Sequence, residues 1–351
     1  MKIVVDAMCA EFGGIRTYVD QLLAAWATSF PDDEVHVLVP VGSTISPDVH
    51  VRHEVPVRRP VAAGRPLAQT AVLRRLTRAI APDAILATMP STTLRRTSSP
   101  LAVVVHDLRH ELRPQQFSRA RRVLRRISYG RSYAVADGYV AVSARTLHDL
   151  HELHPSTRQR RSAVVHHGAD HVLTWPVPDR TGPAVAFAHH TNKNPDLIIE
   201  AWALIAEQAT PPPLLIVGVG GAREALQADL DQRGLTDAVR LAPYLPEEEF
   251  RGVVSVADMI VFPSDFEGFG IPVVEGMSLG KPVVIGPERA TLEVAGGHAV
   301  VMDGWTPQAL ADAVLEARQL DDVAVAAART WGRTFTWDRA VRQTRELLQQ
   351  L

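Results

Sequence analysis

Two carboxylates, Glu267 and Glu275, stand eight residues apart in the stretch Pro263-Ser264-Asp265-Phe266-Glu267-Gly268-Phe269-Gly270-Ile271-Pro272-Val273-Val274-Glu275. The apolar run before it, residues 259–262, reads as a buried strand that ends at Pro263. Pro272 suits the first turn of a helix, because the amide it lacks would have no intrahelical partner there. Gly280 then stops that helix, which is expected over about 273–279 with Glu275 near its first turn. Strand, glycine loop and helix N-terminus together turn backbone amides and a positive dipole end toward one place, which suits a phosphate. Carboxylates beside such amides are poor phosphate ligands and good acceptors for hydroxyls. The string therefore points to a ligand with a sugar at one end and a ribose at the other. A plainer reading of each residue alone has Glu275 charging the helix start and Glu267 solvated.

Other residues able to do chemistry sit at the ends of strand-like runs. His106-Asp107 follows the run 101–105, and Lys193 lies in Thr191-Asn192-Lys193-Asn194-Pro195 after the run 185–187. Gly13-Gly14 sits in Glu11-Phe12-Gly13-Gly14-Ile15-Arg16, a glycine turn into an amphipathic helix. The elements that must position these residues alternate throughout. Short runs rich in Val, Ile and Leu at 2–5, 35–39, 84–87, 102–105, 139–142 and 163–165 are separated by longer helical patterns. The same alternation continues at 185–187, 214–217, 239–241, 259–262, 283–285 and 299–301. Such runs predict parallel sheets covered on both faces, and two series in one chain predict two doubly wound α/β domains with an interdomain cleft. Ligands bind at the carboxyl ends of such strands. Residues 1–174 form the expected first domain, the Pro/Gly-rich segment 175–183 the linker, and residues 184–337 the second domain.

The string from Pro263 through Gly280-Lys281-Pro282 resembles the E-x7-E region of glycosyltransferase family 4, the retaining nucleotide-sugar transferases of GT-B architecture. The resemblance implies that Glu267 binds donor-sugar hydroxyls, that Glu275 binds the ribose, and that Gly268 and the amides of Phe269, Gly270 and Ile271 lie against sugar and diphosphate. Lys193-Asn194 is similar to the family's Lys-Asn pair, whose Lys neutralises the diphosphate. The family's Arg five or six residues earlier is missing here, where Ala188 and Phe187 stand. His189, His190, Arg16 and Arg109 are the candidate replacements. Gly13 and Gly14 resemble the glycine loop near the donor phosphates, and His106 a residue that contacts the donor sugar or its phosphate. Leu241-Ala242-Pro243-Tyr244-Leu245 resembles the segment whose backbone reads the base. Phe335-Thr336-Trp337 resembles the element before a final helix, 338–351, that returns to the first domain. The implied activity is metal-independent transfer of a hexose from a nucleotide-sugar donor to an acceptor hydroxyl, with His106, Lys193 and Glu267 as catalytic residues. A glycan, a lipid-linked acceptor or a small molecule would receive it. A nucleotide-sugar 2-epimerase and a catalytically degenerate binding or membrane-docking protein of the same fold are the rival readings.

Composition agrees with a globular protein: 46% hydrophobic and 22% charged residues, with no run long enough to span a membrane. The N-terminus shows no signal-peptide pattern, and Cys9 is the sole cysteine, a small residue expected to be buried. Both fit a cytoplasmic protein. No His/Cys spacing predicts a metal, His166, His167, His171 and His189 included. The net charge of −2 hides an asymmetry: residues 1–175 hold 23 basic against 15 acidic residues, and the remainder 14 against 24. Two arginine clusters, at 52–78 and at 119–131, point to an anionic partner such as the inner membrane face or a phosphorylated acceptor. In the second, Val123, Leu124 and Ile127 are the expected apolar side. Neither has the aromatic interleaving of a single-stranded nucleic-acid site, so no nucleic-acid partner is expected.

Overall fold

The computed structural model describes the chain except residues 11–12, 46–49, 59–60 and 177–178, together with the side chains of 62–63. Glu11, Phe12, Arg59 and the centre of the expected linker, Val177-Pro178, therefore lie outside the described residues. Two compact units result, one formed by residues 1–168 and 336–351 and the other by residues 169–335. The boundary falls at Gly168/Ala169, six residues before the expected end of the first domain, because the short turn Asp170–Thr174 packs on the second unit.

The first unit is built on β1 (Lys2–Asp6), β2 (Glu34–Pro40), β3 (Val51–Val55), β4 (Ala84–Ala87), β5 (Leu101–Val105), β6 (Gly138–Ala141) and β7 (Arg161–Val164). All pair in parallel, in the order β3-β2-β1-β4-β5-β6-β7. The second unit contains β8 (Ala184–Phe187), β9 (Leu214–Val217), β10 (Val239–Ala242), β11 (Ile260–Phe262), β12 (Val283–Ile285) and β13 (Val300–Val301), again parallel, in the order β10-β9-β8-β11-β12-β13. Central strands such as β4, β5, β8 and β11 are buried at every residue, as helices on both faces require. The winding reverses between β1 and β4 in the first sheet and between β8 and β11 in the second. Loops leaving such a pair diverge and open a crevice at the strand carboxyl ends.

Three local features differ from the sequence reading. The pattern of β3, exposed at Val51 and Glu54 and buried only at Val55, has no apolar run to announce it, because an edge strand is half solvated. In the Arg119–Val135 helix the inward face is Ser128, Tyr129, Ser132, Tyr133 and Val135, whereas Val123 and Ile127 are 59% and 63% exposed. Two tyrosines out-compete the aliphatic residues for the core because their rings bury more area. Arg109, Arg121 and Arg125 lie over the ring of Phe117, at 5.6, 5.7 and 5.0 Å from its centre. Cys9 is partly exposed rather than buried.

The helix Trp337–Gln349 packs on the Gly13–Ser29 helix and on β4, β6 and β7 of the first unit. Its anchor is Arg345, which donates from Nε and Nη2 to the two oxygens of Asp33 at 2.7 and 3.0 Å. Trp26 Nε1 donates to the same carboxylate at 3.1 Å. Burial alone would raise the Asp33 pKa, but the hydrogen bonds from Arg345, the Met1 amino group and Trp26 prevail and hold it at about 2. Its stabilising contribution is therefore complete above the ordinary carboxylate value and fades as pH falls from about 4 toward 2. Arg345→Ala is expected to cost about 2 kcal/mol in urea unfolding at pH 7, since it removes two of the charge-assisted hydrogen bonds to this carboxylate, and clearly less at pH 2.5. An equal cost at both pH values would show that the ion pair is not the anchor.

Candidate functional site

The second unit gathers its polar residues at the reversal between β8 and β11. After β8 the chain makes a short turn, Thr191–Lys193, and Asn194 takes a left-handed conformation, φ 51°, before the Pro195–Gln208 helix. After β11 it runs through Pro263 and Ser264 to Glu267. The two loops are stitched together. Asp265 N donates to Asn192 O at 3.0 Å and Asn194 Nδ2 to Pro263 O at 2.8 Å, and Ser264 Oγ lies 2.9 Å from the same Asn192 carbonyl. Asn192 Nδ2 in turn is 2.8 Å from Phe266 O and 3.0 Å from Glu267 Oε1. Lys193 Nζ and Ser264 Oγ also donate to Glu267 Oε1. Lys193 is 8% exposed, and its Nζ stands 4.1 Å from the centre of the Phe262 ring. Two residues expected to act on different parts of a ligand are thus an ion pair with each other. Asn192 and Ser264, which hold that pair, were passed over in the sequence although both lie inside its motifs.

Glu267 leads through Gly268, Phe269 and Gly270 to the helix Ile271–Ser278. Gly270 has φ 94°, a conformation that favours glycine. Among the described residues no side chain caps this helix start. Glu275 is the fifth residue of the helix, two residues further in than expected because the helix begins at Ile271, and 5% exposed. It accepts a 2.9 Å hydrogen bond from His171 Nε2, whose ring meets Trp175 edge-on at 5.7 Å. Gly276 beside it admits close packing on the sheet: a Cβ there would lie 2.7 Å from Ile260 Cγ1. The pairing of His171 with Glu275 spans 104 residues, and no local pattern in the sequence announces it.

Toward β9 the site is bounded by His189, Gly218 and Tyr244. Gly218 has φ 83°, and a Cβ on it would collide with His189 Nδ1 at 2.4 Å. His189 keeps contact with solvent, yet crowding by its neighbours, with Lys193 and His190 close by, pushes its pKa down to about 4. In the ligand-free protein it is therefore neutral at pH 7. The Tyr244 ring is 66% exposed and 6.4 Å from His189, and Leu245 beside it is half-buried.

In the first unit, Gly13 opens the Gly13–Ser29 helix with φ 62° and Gly14 follows it, exposed. Arg16 is engaged within this unit by Asp20 and by Thr44, at 2.8 Å from its Oγ1. His106 leaves the carboxyl end of β5, and its Nε2 lies 2.9 Å from Thr88 O. A carbonyl only accepts, so Nε2 carries the proton and Nδ1 is left as an acceptor. Burial lowers the His106 pKa and keeps the ring neutral. Tyr18 and His167 flank it, with ring centres 5.0 and 5.6 Å away. At the reversal itself Asp6, 2% exposed, receives Thr92 Oγ1 at 2.6 Å and Gln69 Nε2 at 2.8 Å. Among the described residues no three His, Cys, Asp or Glu side chains are placed to share a metal ion.

Two doubly wound parallel units, each with its polar residues at a strand reversal, are the GT-B class of fold. Solved structures of that class match the whole chain. Sucrose-phosphate synthase from Thermosynechococcus elongatus gives a TM-score of 0.75 at 16% identity, covering 100% of this chain and 98% of that one. HepE of Anabaena, solved in complex with UDP-glucose, gives 0.74 at 17% identity with 100% of both chains covered. Residues 12–173 match the model of Glycosyltransferase Family 4, and residues 185–329 that of Glycosyl transferases group 1. The chain belongs to glycosyltransferase family 4. Among relatives in sequence, the O-antigen chain mannosyltransferase B of Escherichia coli is 30% identical over 43% of this chain and 41% of that protein. A D-inositol 3-phosphate glycosyltransferase of Corynebacterium urealyticum is 28% identical over 45% of this chain and 40% of that protein. The chain therefore spans about two fifths of the length of these relatives.

Because His171 supplies a hydrogen bond to a carboxylate out of water, His171→Phe is expected to cost about 2 kcal/mol of stability. Adding Glu275→Gln to it should recover part of that loss, since the unsupported charge is then gone. Strict additivity of the two substitutions in urea unfolding would show that the groups are not coupled.

Proposed function

We propose that this protein transfers a hexose from a nucleotide sugar to an acceptor hydroxyl, with retention of anomeric configuration and without a metal. The observation that carries this reading is the network of Lys193, Asn192, Ser264 and Glu267 at the β8/β11 reversal, followed in order by the glycine loop and Glu275. In this reading Glu267 accepts from hydroxyls of the sugar. Lys193, with three N–H donors, divides itself between Glu267 and the diphosphate. Gly268 and the amides of Phe269, Gly270 and Ile271 lie along sugar and diphosphate, where the helix dipole favours negative charge. Glu275, held in place by His171, accepts from the ribose, and the backbone at Tyr244 and Leu245 receives the base. Gly13 and Gly14 border the phosphates, and His106 offers Nδ1 to a sugar hydroxyl. The acceptor oxygen bonds to the anomeric carbon, the bond from that carbon to the diphosphate breaks, and the acceptor's proton passes to the departing phosphate oxygen.

The activities of the relatives, a mannosyltransferase and inositol-phosphate glycosyltransferases, support a glycan, a lipid-linked glycan or a small polyol as acceptor. Among the described residues no helix is long and apolar enough to cross a membrane. Exposed Val123 and Ile127, set among Arg119, Arg122 and Arg126, support peripheral contact of the first unit with an anionic membrane from the cytoplasmic side. A degenerate, non-catalytic protein remains the competing reading, because His189 is neutral and Lys193 is already paired. Turnover decides between them.

Thermal unfolding against UDP, GDP, ADP and dTDP is the test, with UDP first because HepE binds it. A nucleotide at 100 times its Kd adds about 2.7 kcal/mol to the folded state, and Glu275→Ala should abolish that gain. A gain that persists in Glu275→Ala would refute the ribose assignment. With the identified donor, the anomeric coupling of the product in proton NMR should match that of the donor, and an inverted product would refute retention.

A further inference from the structure

The first unit carries a second concentration of positive charge that the proposed transfer does not use. The Val61–Ile80 helix ends one short loop before β4, and residues 96–98 lie just before β5. Both therefore sit at the amino-terminal edge of the first sheet, opposite the edge at which Gly13 and His106 follow β1 and β5. Between them lies a groove of about 240 Å³ lined by Arg74, Thr77, Arg78, Arg96, Thr97 and Ser98. It continues past Arg74 and Arg78 into a shallower one of about 520 Å³ that adds Arg75. The seven arginines of 52–78 are thus not one surface. Arg52 is spent on Ser43 O, Ile45 O and Glu54 beside β3, and Arg65 lies 3.5 Å from Cys9 Sγ.

The groove is short of counter-charge. Arg96 reaches Asp137 at 3.3 Å, with both side chains well solvated. Among the described residues, no carboxylate comes within ion-pair distance of Arg74, Arg75 or Arg78. Part of this charge complements the carbonyl end of the helix, but one or two cations in the last turn would suffice for that. Four guanidinium groups line it with N–H donors, while the Thr97 hydroxyl donates to Ser99 O at 2.8 Å and that of the buried Thr77 to Arg74 O at 3.5 Å. Planar forks of this kind match phosphate oxygens in pairs.

We infer that this groove is a binding site for a soluble anion bearing two or more phosphate groups, separate from the donor site. A bilayer is the less suitable occupant, because the apolar residues lining the groove are only Ala71 and Ala79, with no wedge to enter lipid. The exposed Val123 and Ile127 are on a different helix. A nucleic-acid strand is disfavoured because no aromatic side chain lines the groove.

Calorimetric titration of the full chain with inorganic tripolyphosphate at 50 mM salt tests the inference. The same titration is run on Arg74→Gln/Arg78→Gln and on Lys193→Ala. Binding should weaken at least tenfold in the arginine double variant and persist in Lys193→Ala. The reverse pattern would assign the phosphate to the donor site and overturn the inference. So would binding to anionic phosphatidylglycerol vesicles that needs Arg74 and Arg78 while tripolyphosphate does not bind. Failure of the transfer assignment itself would leave these outcomes unchanged, because none of them depends on turnover.

Discussion

An ionised carboxylate is tolerated out of bulk water only where donors surround it, and Glu267 meets that condition. Its Oε1 receives Lys193, Asn192 and Ser264 together. The Asn192 side-chain amide that serves it also grips Phe266 O, while the Asn192 backbone carbonyl takes Asp265 N. One side chain therefore ties the loop after β8 to the loop after β11, which places charge, loop and helix start in a fixed relation before any ligand arrives. A site built this way stabilises developing charge without reorganising at the moment of reaction. The reversal of strand order supplies the space, and the network supplies the rigidity.

The same pairing limits the electrostatics. The chain has three lysines among its 37 cationic residues, and two of the three are taken up in the second unit. Lys281 is buried against the carbonyls of Ser255 and Asp179, with its pKa lowered to about 8 by burial. Lys193 is the one that faces Glu267. A lysine is a compact charge on a flexible stem whose three donors can be divided, so it can serve a carboxylate and a phosphate together. With His189 neutral in the ligand-free protein, the proposed diphosphate site has, among the described residues of the second unit, one shared charge, backbone amides and a helix dipole.

Much of this was legible in residue order, for a physical reason. Parallel strands buried on both faces must be written as apolar runs, so the central strands of both sheets stand out, and their ends mark where polar chemistry can emerge. The edge strand β3 was not legible, because half its residues face water. The loop motif revealed Glu267, Glu275 and Lys193, but their pairing is a property of three-dimensional neighbours. Lys193 meets Glu267 across 74 residues and His171 meets Glu275 across 104. His171 was visible only as one of several histidines, to which spacing assigned no role. The Arg119–Val135 helix misled for a different reason: Val123 and Ile127 have helical spacing, but the tyrosines at 129 and 133 fill the core.

The shared Lys193 is the central claim, and the affinity of a nucleoside diphosphate for Glu267→Gln tests it most directly. Titration of UDP, or of whichever nucleotide stabilises the wild type, is compared among wild type, Glu267→Gln and Lys193→Met. If Lys193 is divided between carboxylate and diphosphate, neutralising Glu267 releases it, so the nucleotide should bind as tightly as to wild type or more tightly, while sugar transfer is lost. Lys193→Met should weaken the nucleotide in either background. A Glu267→Gln protein whose nucleotide affinity falls as far as that of Lys193→Met would contradict the account, because the pair would then be a structural bridge and not a divided charge.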